Sequence, residues 1–280
     1  MKVSQHGPDF LIIGAQRAGT TWTNRVLKQH PAIWVPPVKE LHYFDKPNCS
    51  RTWLDSHERR RVRPKSFDRW HLRYLFGRRS KAWYLRLFED ARAQGFIVGE
   101  VTPTYATLQP EVFRCIHALN SEIKLAFIMR DPLERAWSQV NKAFIRYGRG
   151  GAITVPMALQ IAHWPGVVQS SAYLDTVERI EAVFPRSQLY YGFFDDLREE
   201  PQAFATGLLS FLGVDPGKMG ALPGPVNVVA GQSPIPDAFA SSMAREYLPM
   251  VRALSDRFDG PPRRWLARYE KLLESAPLEV

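Results

Sequence analysis

Phe10-Leu-Ile-Ile-Gly14-Ala-Gln-Arg17-Ala-Gly19-Thr20-Thr21-Trp22 is the stretch from which the fold can be read. Its first five residues are an apolar run that follows the turn signal Gly7-Pro8-Asp9. A run apolar on both faces suits a central strand of a parallel sheet. Gly14 to Thr21 is nearly G-x-x-x-x-G-K-[ST], a loop whose backbone N–H groups wrap phosphate oxygens. The two glycines permit close approach and positive φ. A helical pattern from Thr21 to Gln29 follows at once, and its N-terminus adds partial positive charge to the same spot. Thr20 stands where a nucleotide triphosphatase has its lysine; the positive charge has moved to Arg17.

Strand and helix alternate outward from this stretch. Phe96–Gly99, Leu125–Met129 and Leu189–Phe194 read as further strands. Lys81–Ala93, Pro110–Leu119, Pro132–Arg146, Ala172–Phe184 and Pro201–Leu212 read as helices, and Pro234–Tyr269 as mostly helix with a break at Gly260-Pro261-Pro262. This order predicts an α/β fold: a central parallel β-sheet of the P-loop type, flanked by helices. One domain over residues 1–280 is expected, with 46–80 and 213–236 as long loops over the active-site face. The chain has 280 residues, 45% hydrophobic and 23% charged, which excludes a wholly disordered protein. No stretch approaches the roughly 20 apolar residues of a membrane span, and the N-terminal apolar run is too short for a signal-peptide core. Cys49 and Cys115 make neither a disulfide framework nor a metal cluster. A cytoplasmic protein is the expectation.

The net charge is +9. Between Arg51 and Arg92, eleven Arg and two Lys face Asp55, Glu58, Asp68, Glu89 and Asp90, an excess of eight, so the remainder is almost neutral. A focused positive field draws anions. The same insertion holds Trp53, Trp70, Tyr74, Trp83 and Tyr84. Trp83, Tyr84, Leu87 and Phe88 have helical spacing and predict a buried face; the other aromatics are expected to border an acceptor site. A nucleotide triphosphatase would also carry a metal-binding carboxylate at the end of a neighbouring strand. The Lys124–Met129 run ends instead in Arg130, and Asp131-Pro132-Leu133-Glu134 reads as an N-cap, Pro at N1 and Glu at N3. A strand that ends in arginine suits a second phosphate.

Together, IIGAQRAGTTW and FIMRDPLERAWS resemble the sulfotransferases that use 3′-phosphoadenosine 5′-phosphosulfate (PAPS). Lys39-Glu40-Leu41-His42-Tyr43-Phe44-Asp45, Gly99-Glu-Val-Thr-Pro-Thr-Tyr105 and Ser171-Ala-Tyr173 are similar to segments of the heparan-sulfate-type branch. The resemblance implies that Arg17, Ala18, Gly19, Thr20, Thr21 and Trp22 cradle the 5′-phosphosulfate. It implies Arg130 and Ser138 at the 3′-phosphate, Glu40 as general base, and His42 sharing or replacing that role. Arg17 occupies the position of the family's loop lysine, so the resemblance implies a catalytic role, following charge from the bridging oxygen to the leaving phosphate; it keeps the positive charge but cannot give up its proton. The late loop at Asn227–Pro234 lacks the family's cation, so Gly231 and Gln232 are the expected contacts there.

The implied activity is sulfuryl transfer from PAPS to a hydroxyl, ahead of an amine, of a small molecule or saccharide. It leaves 3′-phosphoadenosine 5′-phosphate (PAP) and uses no metal. Nucleic acid is not an expected partner, and the sequence leaves the oligomeric state open. An Arg-to-Lys ratio of 27 to 10 fits a bacterial enzyme of natural-product or carbohydrate tailoring. The alternatives are a P-loop kinase or NTPase, and a non-catalytic protein that binds nucleotide or uses the Arg-rich face for nucleic acid.

Overall fold

The structure is a computed structural model that describes residues 7–46, 68–146, 152–224 and 234–275. Its centre is a five-stranded sheet, β1 (Phe10–Gly14), β2 (Ile33–Trp34), β3 (Ile97–Val101), β4 (Lys124–Met129) and β5 (Leu189–Phe193), in the order β2-β3-β1-β4-β5. Every pairing is parallel. All five residues of β1 are buried, because helices cover both faces of a parallel sheet. The helices are α1 (Thr20–Gln29), α2 (Arg69–Phe76), α3 (Lys81–Ala93), α4 (Pro110–Leu119), α5 (Pro132–Arg146), α6 (Val155–Ala162), α7 (Pro165–Ser171), α8 (Tyr173–Glu181), α9 (Phe194–Glu199), α10 (Pro201–Leu212), α11 (Asp237–Arg257) and α12 (Pro261–Glu274). No described helix is long and apolar enough to cross a membrane.

The strand order reverses between β1 and β4. β1 leads outward to β2 on one side, and the chain returns to place β4 and β5 on the other. Ligand crevices in open α/β sheets form outside the carboxyl ends of the strands at such a switch point. The loops that follow β1, β2, β3 and β4 all leave from that edge.

Two expectations require correction. Residues 46–80 read as a loop, yet Arg69–Phe76 is helical, started by Asp68, whose side chain accepts from His71 N. That helix is short, and no alternation of strand and helix pointed to it. Trp70 and Tyr74 therefore do not border an acceptor site. They are 8% and 2% exposed, stacked on each other at 5.1 Å, and Trp70 Nε1 donates to Leu87 O. Trp83, Tyr84, Leu87 and Phe88 do form the buried face of α3. Trp53 lies outside the described residues, as do Cys49 and the first part of the insertion, up to residue 67. Cys115 is an exposed free thiol.

β3 passes β1 closely only because position 99 has no side chain. A Cβ on Gly99 would lie 2.5 Å from three ring carbons of Phe10. Gly99→Ala should therefore lower stability by about 1–3 kcal/mol through overpacking, read as a lower urea midpoint with unchanged slope.

Candidate functional site

Gly19 caps α1 with a φ of 80°, and a Cβ there would meet Leu197 Cδ1 at 2.8 Å. Glycine is thus required twice over, for conformation and for space. Arg17 also has positive φ, 69°, which a side chain adopts only where surroundings compel it. Ala18 and Thr20 are buried, and Thr21 is partly exposed. Trp22 is 5% exposed, donates Nε1–H to Pro223 O at 2.9 Å, and meets Phe204 edge-on; packing occupies it fully.

Arg17 turns toward the β4 end of the sheet. Its Nε donates to Ser138 Oγ at 2.9 Å, and Arg130 Nη1 donates to Arg17 O at 3.2 Å. Arg130 lies 4.6 Å from the centre of the Phe194 ring and pairs with Glu134 at 3.1 Å. Glu134 in turn takes Arg268 of α12 at 3.1 Å, and Arg268 reaches Asp131 at 2.7 Å. Asp131 also caps α5, accepting from Leu133 N and Glu134 N. The three predicted residues Arg17, Arg130 and Ser138 thus come together.

A third guanidinium joins them. Arg135 is 0% exposed and donates to Ser171 Oγ and Val167 O. Among the described residues its Nη1 has no hydrogen-bond partner, and neither Arg135 nor Arg17 is paired with a carboxylate. Burial, and then the charges of Arg130 and Arg135, lowers the pKa of Arg17. Like charges held this close cost free energy unless an anion enters. An anion placed among them would offset that repulsion.

The segment after β2 carries the second half of the site. Glu40 and His42 have φ of 69° and 52°. His42 Nε2 lies 3.5 Å from Glu40 Oε2, and Nδ1 lies 2.8 Å from Asp45 Oδ2. Thr104 donates to Asp45 at 2.7 Å. Burial would raise the Glu40 carboxyl, but the His42 hydrogen bond and the Lys39 charge outweigh it and hold it below the usual carboxylate range. Burial likewise opposes charge on His42, yet hydrogen bonds to Asp45 and Glu40 raise its pKa overall. The result is an ionised carboxylate, braced by an imidazole between two acids. Such a group can accept a proton from a bound hydroxyl.

A buried network supports this strained segment. Glu100 is 1% exposed and accepts from Tyr84 OH at 2.5 Å, Thr102 Oγ1 at 2.7 Å and Tyr105 OH at 3.1 Å. Tyr105 OH accepts from Tyr43 N at 2.9 Å and Phe44 N at 3.4 Å. Tyr43 stacks on Tyr84 at 4.3 Å. From the insertion, Arg79 donates to Leu41 O and His42 O. Sequence reading quoted Lys39, Asp45 and the Glu100–Tyr105 segment without giving them roles, and passed over Arg135. The last had a signal: Arg135 and Ser138 are three apart on one helix face.

The Sulfotransferase family profile matches residues 8–216. The chain belongs to this family. Heparan sulfate glucosamine 3-O-sulfotransferase 5 of mouse and of human are each 25% identical over 222 residues, which is 76% of this chain and 55% of the relative. The chain therefore spans about half the length of these relatives. A sulfotransferase from Alicyclobacillus acidocaldarius superposes with a TM-score of 0.67 at 22% identity, over 92% of this chain and 98% of that one. Mouse sulfotransferase SULT7A1, solved in complex with PAP, superposes at 0.50 and 15% identity over 96% and 89%. Both show the sulfotransferase fold. Gly231 and Gln232 lie outside the described residues. Among those described, no group of three His, Cys, Asp or Glu could hold a metal ion.

Tyr105→Phe should remove the acceptor of two backbone N–H groups and one donor to Glu100. The expected loss is about 1–3 kcal/mol of stability in urea titration, with slower sulfuryl transfer as the Glu40 segment loosens. His42 gives a pH signature. Its folded pKa is raised, so its contribution is complete below the unfolded value of about 6.5 and disappears as pH rises through the folded value. The melting temperature lost in His42→Gln should accordingly be larger at pH 6 than at pH 9, by about 2–4 °C for each kcal/mol.

Proposed function

We propose that this sulfotransferase takes its sulfuryl group from PAPS and transfers it to a hydroxyl, ahead of an amine, of a saccharide or small molecule. The observation that carries the reading is the arginine cluster beside the β1 loop, in which the buried Arg135 and the half-buried Arg17 lack carboxylate partners among the described residues. Two phosphate-binding features side by side suit a donor phosphorylated at both ends. The residues fit it: Ala18, Gly19, Thr20 and Thr21 would hold the 5′ end, and Arg17, Arg130 and Ser138 the 3′-phosphate. Gly231, Gln232 and Trp22 complete the proposed set, Trp22 by packing. The donor supplies a sulfuryl group already activated by its phosphate.

The chain's own contribution is positioning and charge, as in phosphoryl transfer. Glu40 takes the acceptor's proton, held ionised by Lys39 and His42. Asp45 and Thr104 fix the imidazole. A hydroxyl acceptor is favoured because the relatives at 25% identity are named 3-O-sulfotransferases. No metal is assigned a part.

Calorimetry tests the donor. PAP should bind in the absence of metal and more tightly than ADP. Arg130→Ala should weaken PAP by about ten- to a hundredfold, the worth of a charged hydrogen bond. Equal binding of ADP, or binding that needs magnesium, would return the site to a kinase.

A further inference from the structure

The loop after β1 has threonine, not lysine, at position 20. Its own cation faces elsewhere: Arg17 Nε is bonded to Ser138 Oγ at 2.9 Å, on the Arg130 side. A cation from another segment stands at the gap. Lys39 follows β2, and its Nζ lies 3.4 Å from Thr20 Oγ1 and 2.8 Å from Glu40 Oε1. One ammonium thus joins the hydroxyl that opens α1 to the carboxylate assigned as base.

This placement has a geometric consequence. In-line transfer needs the departing phosphate oxygen, the sulfur and the acceptor oxygen on one line. With the 5′-phosphate at the start of α1 and the acceptor at Glu40, a group bonded to both ends lies beside that line. We propose that Lys39 is a catalytic residue of this chain. Its ammonium contacts the 5′-phosphate end of the sulfuryl donor and balances the negative charge that collects there as the sulfur departs. The proposal rests on the donor and base assigned above.

Lysine suits the task. Its flexible four-carbon stem lets Nζ turn from the Thr20 hydroxyl to a phosphate oxygen without backbone movement, and the charge is compact. The side chain is 20% exposed, so water screens it less than a surface lysine. Glu40 is its one ion-pair partner among the described residues. The structural alternative is that Lys39 only orients Glu40. The two roles differ in which ligand feels the loss of the ammonium.

The test is calorimetry on the full chain with PAP and with adenosine 3′-monophosphate, which keeps the 3′-phosphate and lacks the 5′-phosphate. Lys39→Met should weaken PAP about tenfold and leave adenosine 3′-monophosphate within about twofold, which also shows that the variant is folded. Lys39→Arg should restore PAP affinity to within about threefold, because charge is retained. Unchanged PAP affinity in Lys39→Met overturns the proposal, and so does equal weakening of both ligands. If the unaltered chain fails to bind PAP, the donor assignment falls first and takes this proposal with it.

Discussion

Repulsion among three guanidinium groups is the constraint around which this molecule is organised. Arg17, Arg130 and Arg135 come from a loop, a strand end and a helix, and each must be held against the others. The sheet supplies the holding. β1 and β4 are hydrogen-bonded neighbours at the switch point, so the residues just beyond their ends cannot drift apart. Arg135 is locked by Ser171 and Val167 of α7. Arg130 is held through Glu134 and Arg268, and Arg268 also pairs with Asp131, which brings the last described helix into the site. The like charges are thus placed by the fold itself rather than gathered by a ligand.

The sheet was legible in the sequence for a simple reason. Its strands are short runs apolar on both faces, separated by helices, and few folds satisfy that pattern. β2 escaped because two residues are too few to show any period. α2 itself escaped because a charged, Arg-rich context hides an apolar face made of Trp70 and Tyr74. At the site, the residues expected from the sequence, Arg17, Arg130, Ser138, Glu40 and His42, each lie within a contiguous motif. Contacts made across the fold could not be read in this way. Nothing in the spacing of Tyr105 and Tyr43 says that a phenol will accept a backbone N–H 62 residues away. Such contacts exist only once β3 lies beside β2.

That dependence explains the buried carboxylate. Glu100 sits in the sheet, is fully enclosed, and has a pKa raised by burial against three hydroxyl donors. An isolated acid there would be costly. Its hydroxyl partners make it tolerable, and one of them, Tyr105, carries the constraint outward to a segment whose two key residues have left-handed backbone. Rigidity is generated in the core and delivered to the surface through oxygen atoms.

Arg79 has a different kind of consequence. It and the caps Asp68 and Ser80 fix the chain on one side of residues 47–67, and Asp45, bound to His42 and Thr104, fixes it on the other. Both anchors bond to the Glu40–Asp45 segment itself, so the positions at which the described chain stops and resumes are tied to the candidate site. A change at Arg79 would therefore be felt at His42 through its carbonyl oxygen, although the two residues lie 37 apart in the sequence.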